Sequence, residues 1–552
     1  MPSSLILFAQ ASATPSQSVP LEWLDFVVLV GSVLAVTAFG MWIGRREEGT
    51  SDYFLAGKSI AWWAIAGSIL GTNVSSHHMV GMMGAGLKEG FAQANFEFGA
   101  IFGLMMLCYF FLPFYRRMNV YTLSEYLGQR FDERSQLMYS LTNMGFLLIQ
   151  MCGTLILGAL TIETLLAGSE FAISYNAAVW LLAAVAAAYT VFGGLKAVIF
   201  TDVIQSVLLL VGSGILAVLA IWHPDVGGIS GLLEKEPDKF HVFFPADHPQ
   251  LPWTGVFTGL MVLHCYYWGT NQFMVQRALG AKSGWDARQG IITAGFFKLL
   301  IPFLCIVPGM AAGYILAIDP ATESDTAFAG LTRTLLPHGY GLVGIVMAGL
   351  VGGILSTIDS MMNSTATLFT FDIYRKYIRP DASEKRLIWV GRVAMMIMVG
   401  FGIWLSIVYG KARGGIFNEM ADYNAYLVPG VLVAFIAGIL QPFVTRTASL
   451  ACIIAGPTLS IAFERAALFG FEHKLQAFHR AGLATVACYA VLLVTSAVTQ
   501  RERDDAREHF TWRRFRAERA NETGPVRPWW QRDRLWAAVL IVITLAMCWY
   551  FA

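Results

Sequence analysis

About fourteen apolar stretches, each long enough to cross a bilayer, dominate this chain and leave it no soluble fold. They run approximately over 23–44, 60–84, 95–115, 137–166, 175–197, 202–222, 253–273, 289–316, 341–371, 387–409, 421–441, 447–466, 478–498 and 533–551. A spanning helix needs about 20 residues for about 30 Å of hydrocarbon. Lipid offers no partner to an unpaired backbone group, so the spans are helices. The composition agrees, with 56% hydrophobic and 14% charged residues among 552. The expected fold class is an all-α polytopic membrane protein.

Basic residues set the expected orientation. With the N-terminus outside, the inner loops receive Arg45-Arg46, Arg116-Arg117, Arg277 with Lys282 and Arg288, and the run from Arg375 to Arg386. The cluster from Arg501 to Arg534 joins them, giving a positive-inside bias and both termini outside. The stretch 500–534 reads as a cytoplasmic helix lying against lipid headgroups. The first 20 residues lack a basic start and a long apolar run, and read as a polar lead rather than a signal peptide. All seven cysteines fall in apolar spans without CxxC spacing, which argues against disulfides and structural zinc. A net charge of +1 argues against nucleic acid as a partner. No Gx4GK[ST] sequence occurs, so an ATP-driven pump is not expected.

The ninth span carries Ser356-Thr357-Ile358-Asp359-Ser360-Met361-Met362-Asn363-Ser364. From Val343 to Phe371 a helix reaches roughly 43 Å, so Ser356 falls near mid-membrane. At about 100° per residue Ser356, Ser360, Asn363 and Thr367 share a face, flanked by Asp359, Thr357 and Ser364. An oxygen-rich, weakly charged arc suits a hard cation such as sodium. The alternative is hydrogen bonding between helices.

Two more spans are interrupted. One reads Ser68-Ile69-Leu70-Gly71-Thr72-Asn73-Val74-Ser75-Ser76-His77-His78, and the seventh reads His264-Cys265-Tyr266-Tyr267-Trp268-Gly269-Thr270-Asn271-Gln272. Broken helices five spans apart point to an inverted-repeat transporter with its site near the bilayer centre. Glu97 is either an interfacial carboxylate or a solute contact. Lys298, deep in its span, is expected to be paired. Asp202 is either an N-cap or an ion contact. His77 and His78 diverge by about 100° on a helix and lack a third ligand, so a polar contact to a solute is preferred over metal binding.

Further motifs carry a family resemblance. They are Tyr53-Phe54-Leu55-Ala56-Gly57-Lys58, Tyr189-Thr190-Val191-Phe192-Gly193-Gly194-Leu195 with Thr201-Asp202-Val203-Ile204-Gln205, Asn271-Gln272 with Gln276-Arg277-Ala278-Leu279, and Ser356-Thr357 with Asn363-Ser364 and Phe371-Asp372-Ile373-Tyr374. Over roughly Asp52 to Leu440 the chain resembles the sodium/solute symporter family, in particular its sodium–glucose cotransporter branch. The resemblance implies a LeuT-like 5+5 inverted repeat working by alternating access. It divides the chain into a lead and first span (1–58), two repeats (59–222 and 223–441), and a C-terminal part (442–552).

By position the resemblance implies a sodium site at the carbonyls of Gly71, Val74 and Gly353 and the hydroxyls of Ser356 and Thr357. Asp202 matches a carboxylate linked to sodium binding or release. Asp359, standing where many members have a hydroxyl residue, is with Ser360 a candidate second ion site. Tyr267 matches the aromatic that closes the solute site, with Asn73 as its partner and Trp268 beside it. His78, Glu97 and Lys298 fit the cotransporter branch, whereas His264, Ala100 and Ala421 depart from its sugar site.

The expected function is sodium-coupled import of a small polar solute, sugar or sugar-like, across a cell membrane. Sodium is the coupling ion, with no other cofactor, no obligate protein partner and no enzymatic activity. The alternatives are a symporter for a polyol, carboxylate, nucleoside or amino acid, a transporter-like sensor, and a channel.

Overall fold

The computed structural model describes residues 21–45, 49–318, 324–410, 416–465, 476–500, 510–519 and 527–552, with side chains omitted over 416–424 and 517–519. The side chain of Ala421 and much of the 500–534 stretch therefore lie outside what is described; within that stretch the helix Trp512–Arg519 is seen. The fold is nearly all helical, with two isolated bridges, Ile60 to Ala281 and Phe244 to Pro252. Among the described residues ten helices are long and apolar enough to cross a membrane. One of them, Tyr175–Ile221, takes in two of the expected spans and bends at Gly194, whose φ of 54° suits a residue without a Cβ.

Leu342–Leu368 is the central helix and is almost wholly buried. It packs along Tyr175–Ile221 and also touches Glu133–Leu166 and Trp62–Asn73. Small residues make this possible: a Cβ at Gly349 would stand 2.7 Å from the Leu208 carbonyl, and one at Gly353 would stand 2.8 Å from the Val74 carbonyl. Helices in lipid associate by such close backbone approach.

Both expected interruptions are present. Trp62–Asn73 ends where Val74 turns extended (φ −84°, ψ 103°). The chain resumes as a wider turn over His77–Met82. The break is shorter than the sequence suggested, because Gly71 and Thr72 stay helical and only Val74 and Ser75 leave the helix. The second break separates Met261–Gly269 from Gln272–Leu279, with Asn271 extended (φ −97°, ψ 126°). Gly103 sets the spacing beside it: a Cβ there would lie 2.5 Å from the Trp268 ring and 2.6 Å from the His264 carbonyl.

The far end of the central helix is tied by a buried carboxylate. Asp372 accepts hydrogen bonds from Thr122 (2.8 Å), Ser124 (2.5 Å), Gln136 (2.9 Å) and Ser140 (2.6 Å). Glu125 stands beside this knot on the short helix Ser124–Arg130, outside the spans. Burial, and then the Asp372 charge, push its carboxyl up to about 7 against the pull of the Tyr121 N–H. The folded protein therefore holds a proton that the unfolded chain releases near pH 4.5, so stability falls as pH rises from there to about 7. Glu125→Gln removes that dependence. The variant should match the parent near pH 4 and exceed it in melting temperature at pH 8, as read by thermal unfolding in detergent. Gly103→Val should instead cost about 1–3 kcal/mol by overpacking, measured by chemical unfolding.

Candidate functional site: a polar crossing beside a solute cavity

The central helix and the broken helix meet through oxygen atoms. Thr357 Oγ1 donates to the carbonyls of Thr72 (3.0 Å) and Gly353 (2.8 Å). The Thr72 and Ser360 hydroxyls lie 3.0 Å apart. A Cβ added at Gly71 would stand 3.2 Å from Ser356 Oγ and 2.9 Å from the Asp202 carbonyl. Gly71, Val74, Gly353, Ser356 and Thr357, expected together from sequence, are thus brought to one crossing. Thr72, which the sequence does not single out from its polar stretch, supplies both its carbonyl and its hydroxyl there.

Asp202 is the hub on one side of the crossing. Its carboxylate accepts from Ser356 Oγ (2.5 Å), Ser68 Oγ (2.5 Å) and Thr72 Oγ1 (3.3 Å). It lies inside the Tyr175–Ile221 helix, eight residues past the Gly194 bend, so it is not a helix cap. Arg277 reaches the same cluster: Nε donates to Ser68 (2.7 Å), and Nη2 sits 3.5 Å from Asp202 and also bonds Ser360. Arg277, expected in a loop, instead lies in the helix Gln272–Leu279 with its side chain 1% exposed. Hydropathy registers the charge but not the carboxylate that neutralises it. Asp359 takes a different partner, accepting from Tyr189 OH at 2.6 Å and from Ser360 at 3.0 Å.

Next to the crossing lies a cavity of about 150 Å³. Asn73, His78, Glu97, His264, Tyr267, Trp268 and Lys298 all line it. Glu97 is not interfacial: it is 1% exposed, and Lys298 Nζ stands 2.7 Å from it. His78 Nε2 lies 3.2 Å from the other carboxylate oxygen. Lys298 also donates to Asn73 Oδ1, and Asn73 Nδ2 donates to Tyr267 OH at 3.1 Å. Tyr267 meets Trp268 edge-on at 5.1 Å and Phe273 at 5.5 Å, forming an aromatic floor. The Lys298 ammonium lies 5.2 Å from the Trp268 ring. Thr72 and Thr357 belong to the cavity wall and to the crossing at once.

Broken spanning helices, an oxygen-lined crossing and an adjoining polar cavity define a membrane-embedded secondary transporter. The chain belongs to the sodium:solute symporter family, whose description matches residues 53–456. It is 34% identical to the sodium/glucose cotransporter of Vibrio parahaemolyticus over 476 residues, covering 80% of this chain and 84% of that one. It is 33% identical to the sodium/myo-inositol cotransporter 2 of Sus scrofa, covering 82% and 72%. The structure of a Na+-coupled sialic acid symporter in a substrate-bound outward-open state superposes with a TM-score of 0.76 at 21% identity, covering 86% of this chain and 98% of that one. That likeness concerns the fold. The protein is a sodium-coupled solute symporter and not an enzyme.

Arg277→Gln leaves the Asp202 carboxylate buried without its cation. The loss should be about 3–5 kcal/mol, read by chemical unfolding in detergent, and Asp202→Asn in the same chain should restore part of it.

Proposed function

We propose that the solute is a neutral polyhydroxylated ring, a hexose or cyclic polyol, and that sodium binds at the crossing and drives its uptake. The observation that carries this reading is the shared wall: Thr72 and Thr357 line the cavity and also join the two helices. A cation held by the carbonyls of Gly71, Val74 and Gly353 and the hydroxyls of Ser356 and Thr357 would draw the helices together and shape the solute's wall. Each ligand then favours the arrangement the other needs, which is reciprocal coupling.

Charge in the cavity supports a neutral cargo. Glu97 is matched by Lys298, and the other polar groups are amide, imidazole and hydroxyl dipoles beside aromatic faces. A carboxylate or ammonium solute would upset that balance among buried side chains. Hydroxyls can instead accept from Lys298 and Asn73 and donate to Glu97. The relatives, a sodium/glucose and a sodium/myo-inositol cotransporter, point the same way.

Asp202, Asp359 and Ser360 continue the crossing inward and form a second ion site or the release path. Two repeats, 59–222 and 223–441, rock about the crossing, and both termini lie outside the cell membrane. The membrane potential adds about 2.3 kcal/mol per charge per 100 mV.

In proteoliposomes, D-glucose or myo-inositol uptake should require an inward sodium gradient. Ser356→Ala or Thr357→Ala should raise the sodium concentration for half-maximal uptake by about tenfold, the effect of about 1.4 kcal/mol of ligation. Equal uptake in choline medium would refute the reading.

A further inference from the structure

The cavity holds polar groups that the Glu97–Lys298 pair does not engage. His77 and Gln150 both line it, and His77 Nε2 and Gln150 Oε1 are buried without a hydrogen-bond partner. His78 faces Glu97. Neighbouring residues on a helix diverge by about 100°, so His77 presents a different part of the same wall. Gln150 comes from another element, the helix Glu133–Leu166. The two turns are in contact: Ser76 Oγ donates to the Thr154 carbonyl at 3.4 Å, and Thr154 Oγ1 donates to the Gln150 carbonyl at 2.9 Å. Thr154 lines the cavity as well. Each of these groups can bond a hydroxyl, the imidazole as donor or acceptor and the amide as both.

We propose that His77 and Gln150 form a second hydroxyl-reading subsite, distinct from the Glu97–Lys298–Asn73 cluster, that selects which polyhydroxylated ring is carried. The inference rests on the neutral-polyol reading of the cavity. A solute with hydroxyls at both ends of its ring satisfies both groups of side chains. An analogue lacking the hydroxyl that faces Gln150 leaves a buried amide oxygen unmatched. Selectivity of this kind is strong because the penalty falls on the site's own polar atoms. The subsite also lies beside Ser76, at the re-entry of the broken helix, where a shift of the helix would carry it with the solute.

The test is a cycle of protein and solute deletions. Sodium-dependent initial rates are measured in proteoliposomes for D-glucose, myo-inositol and the monodeoxy analogues of each. The parent protein, Gln150→Ala and His77→Ala are compared. The parent should carry at least one probe. Gln150→Ala should raise KM for that probe by about tenfold, the worth of one neutral hydrogen bond. It should leave KM unchanged for one monodeoxy analogue, which has already lost the contact. His77→Ala should behave likewise, with the sodium half-saturation unmoved in both variants. A KM change of equal size across every analogue, or no change, overturns the subsite while leaving the transport reading intact. Sodium-independent flux or no flux of either probe in the parent overturns the underlying reading, and the subsite with it. Should Gln150→Ala fail to assemble, Gln150→Asn keeps the amide but withdraws it by one methylene, and is judged by the same analogue dependence.

Discussion

Backbone groups freed from a helix inside lipid must find partners, and this structure answers that requirement at one crossing. Val74 and Ser75 leave the helical path in the middle of a span. The neighbouring carbonyls face the central helix, where Thr357 donates to Thr72 and the small Gly353 lets the Val74 carbonyl approach. An unsatisfied polar group in hydrocarbon costs several kcal/mol. The break is therefore affordable only where hydroxyls or a cation meet it. The serines and threonines of the central helix, the bend that positions Asp202 and the glycines that allow contact all serve that need.

Charge follows the same logic one layer out. Asp202 and Arg277 sit together on one side of the crossing, while Glu97 and Lys298 sit together in the cavity. Each pair removes net charge from a low-dielectric interior, and truncating one partner would strand the other. The cavity is consequently polar but neutral. Asp359 differs, since its described partners are the Tyr189 and Ser360 hydroxyls.

Much of this was legible in the sequence because lipid makes polarity conspicuous. Ser356 and Thr357 in an apolar run, and the polar stretch after Leu70, marked both sides of the crossing, and periodicity assigned their faces. Lys298 read as paired, but its partner did not, because Glu97 comes from a different span. Arg277 misled for a similar reason: next to Lys282 it looks like a loop charge, yet the second break turns it inward. The break after Asn73 also proved shorter than the polar run, since Gly71 and Thr72 keep their helical bonds when packed against neighbours. Gln150 gave little signal. A single amide in the 137–166 span reads as helix-to-helix glue until its neighbours in space are known.

The central claim is that sodium and solute share the wall formed by Thr72 and Thr357. Equilibrium binding of labelled solute to purified protein, titrated with sodium and choline in turn, tests it most directly. Linkage requires sodium to tighten solute binding and solute to tighten sodium binding by the same factor. Equal factors of about 5–150-fold are expected, collapsing towards one in Thr357→Ala. A solute dissociation constant that is the same in sodium and choline would contradict it.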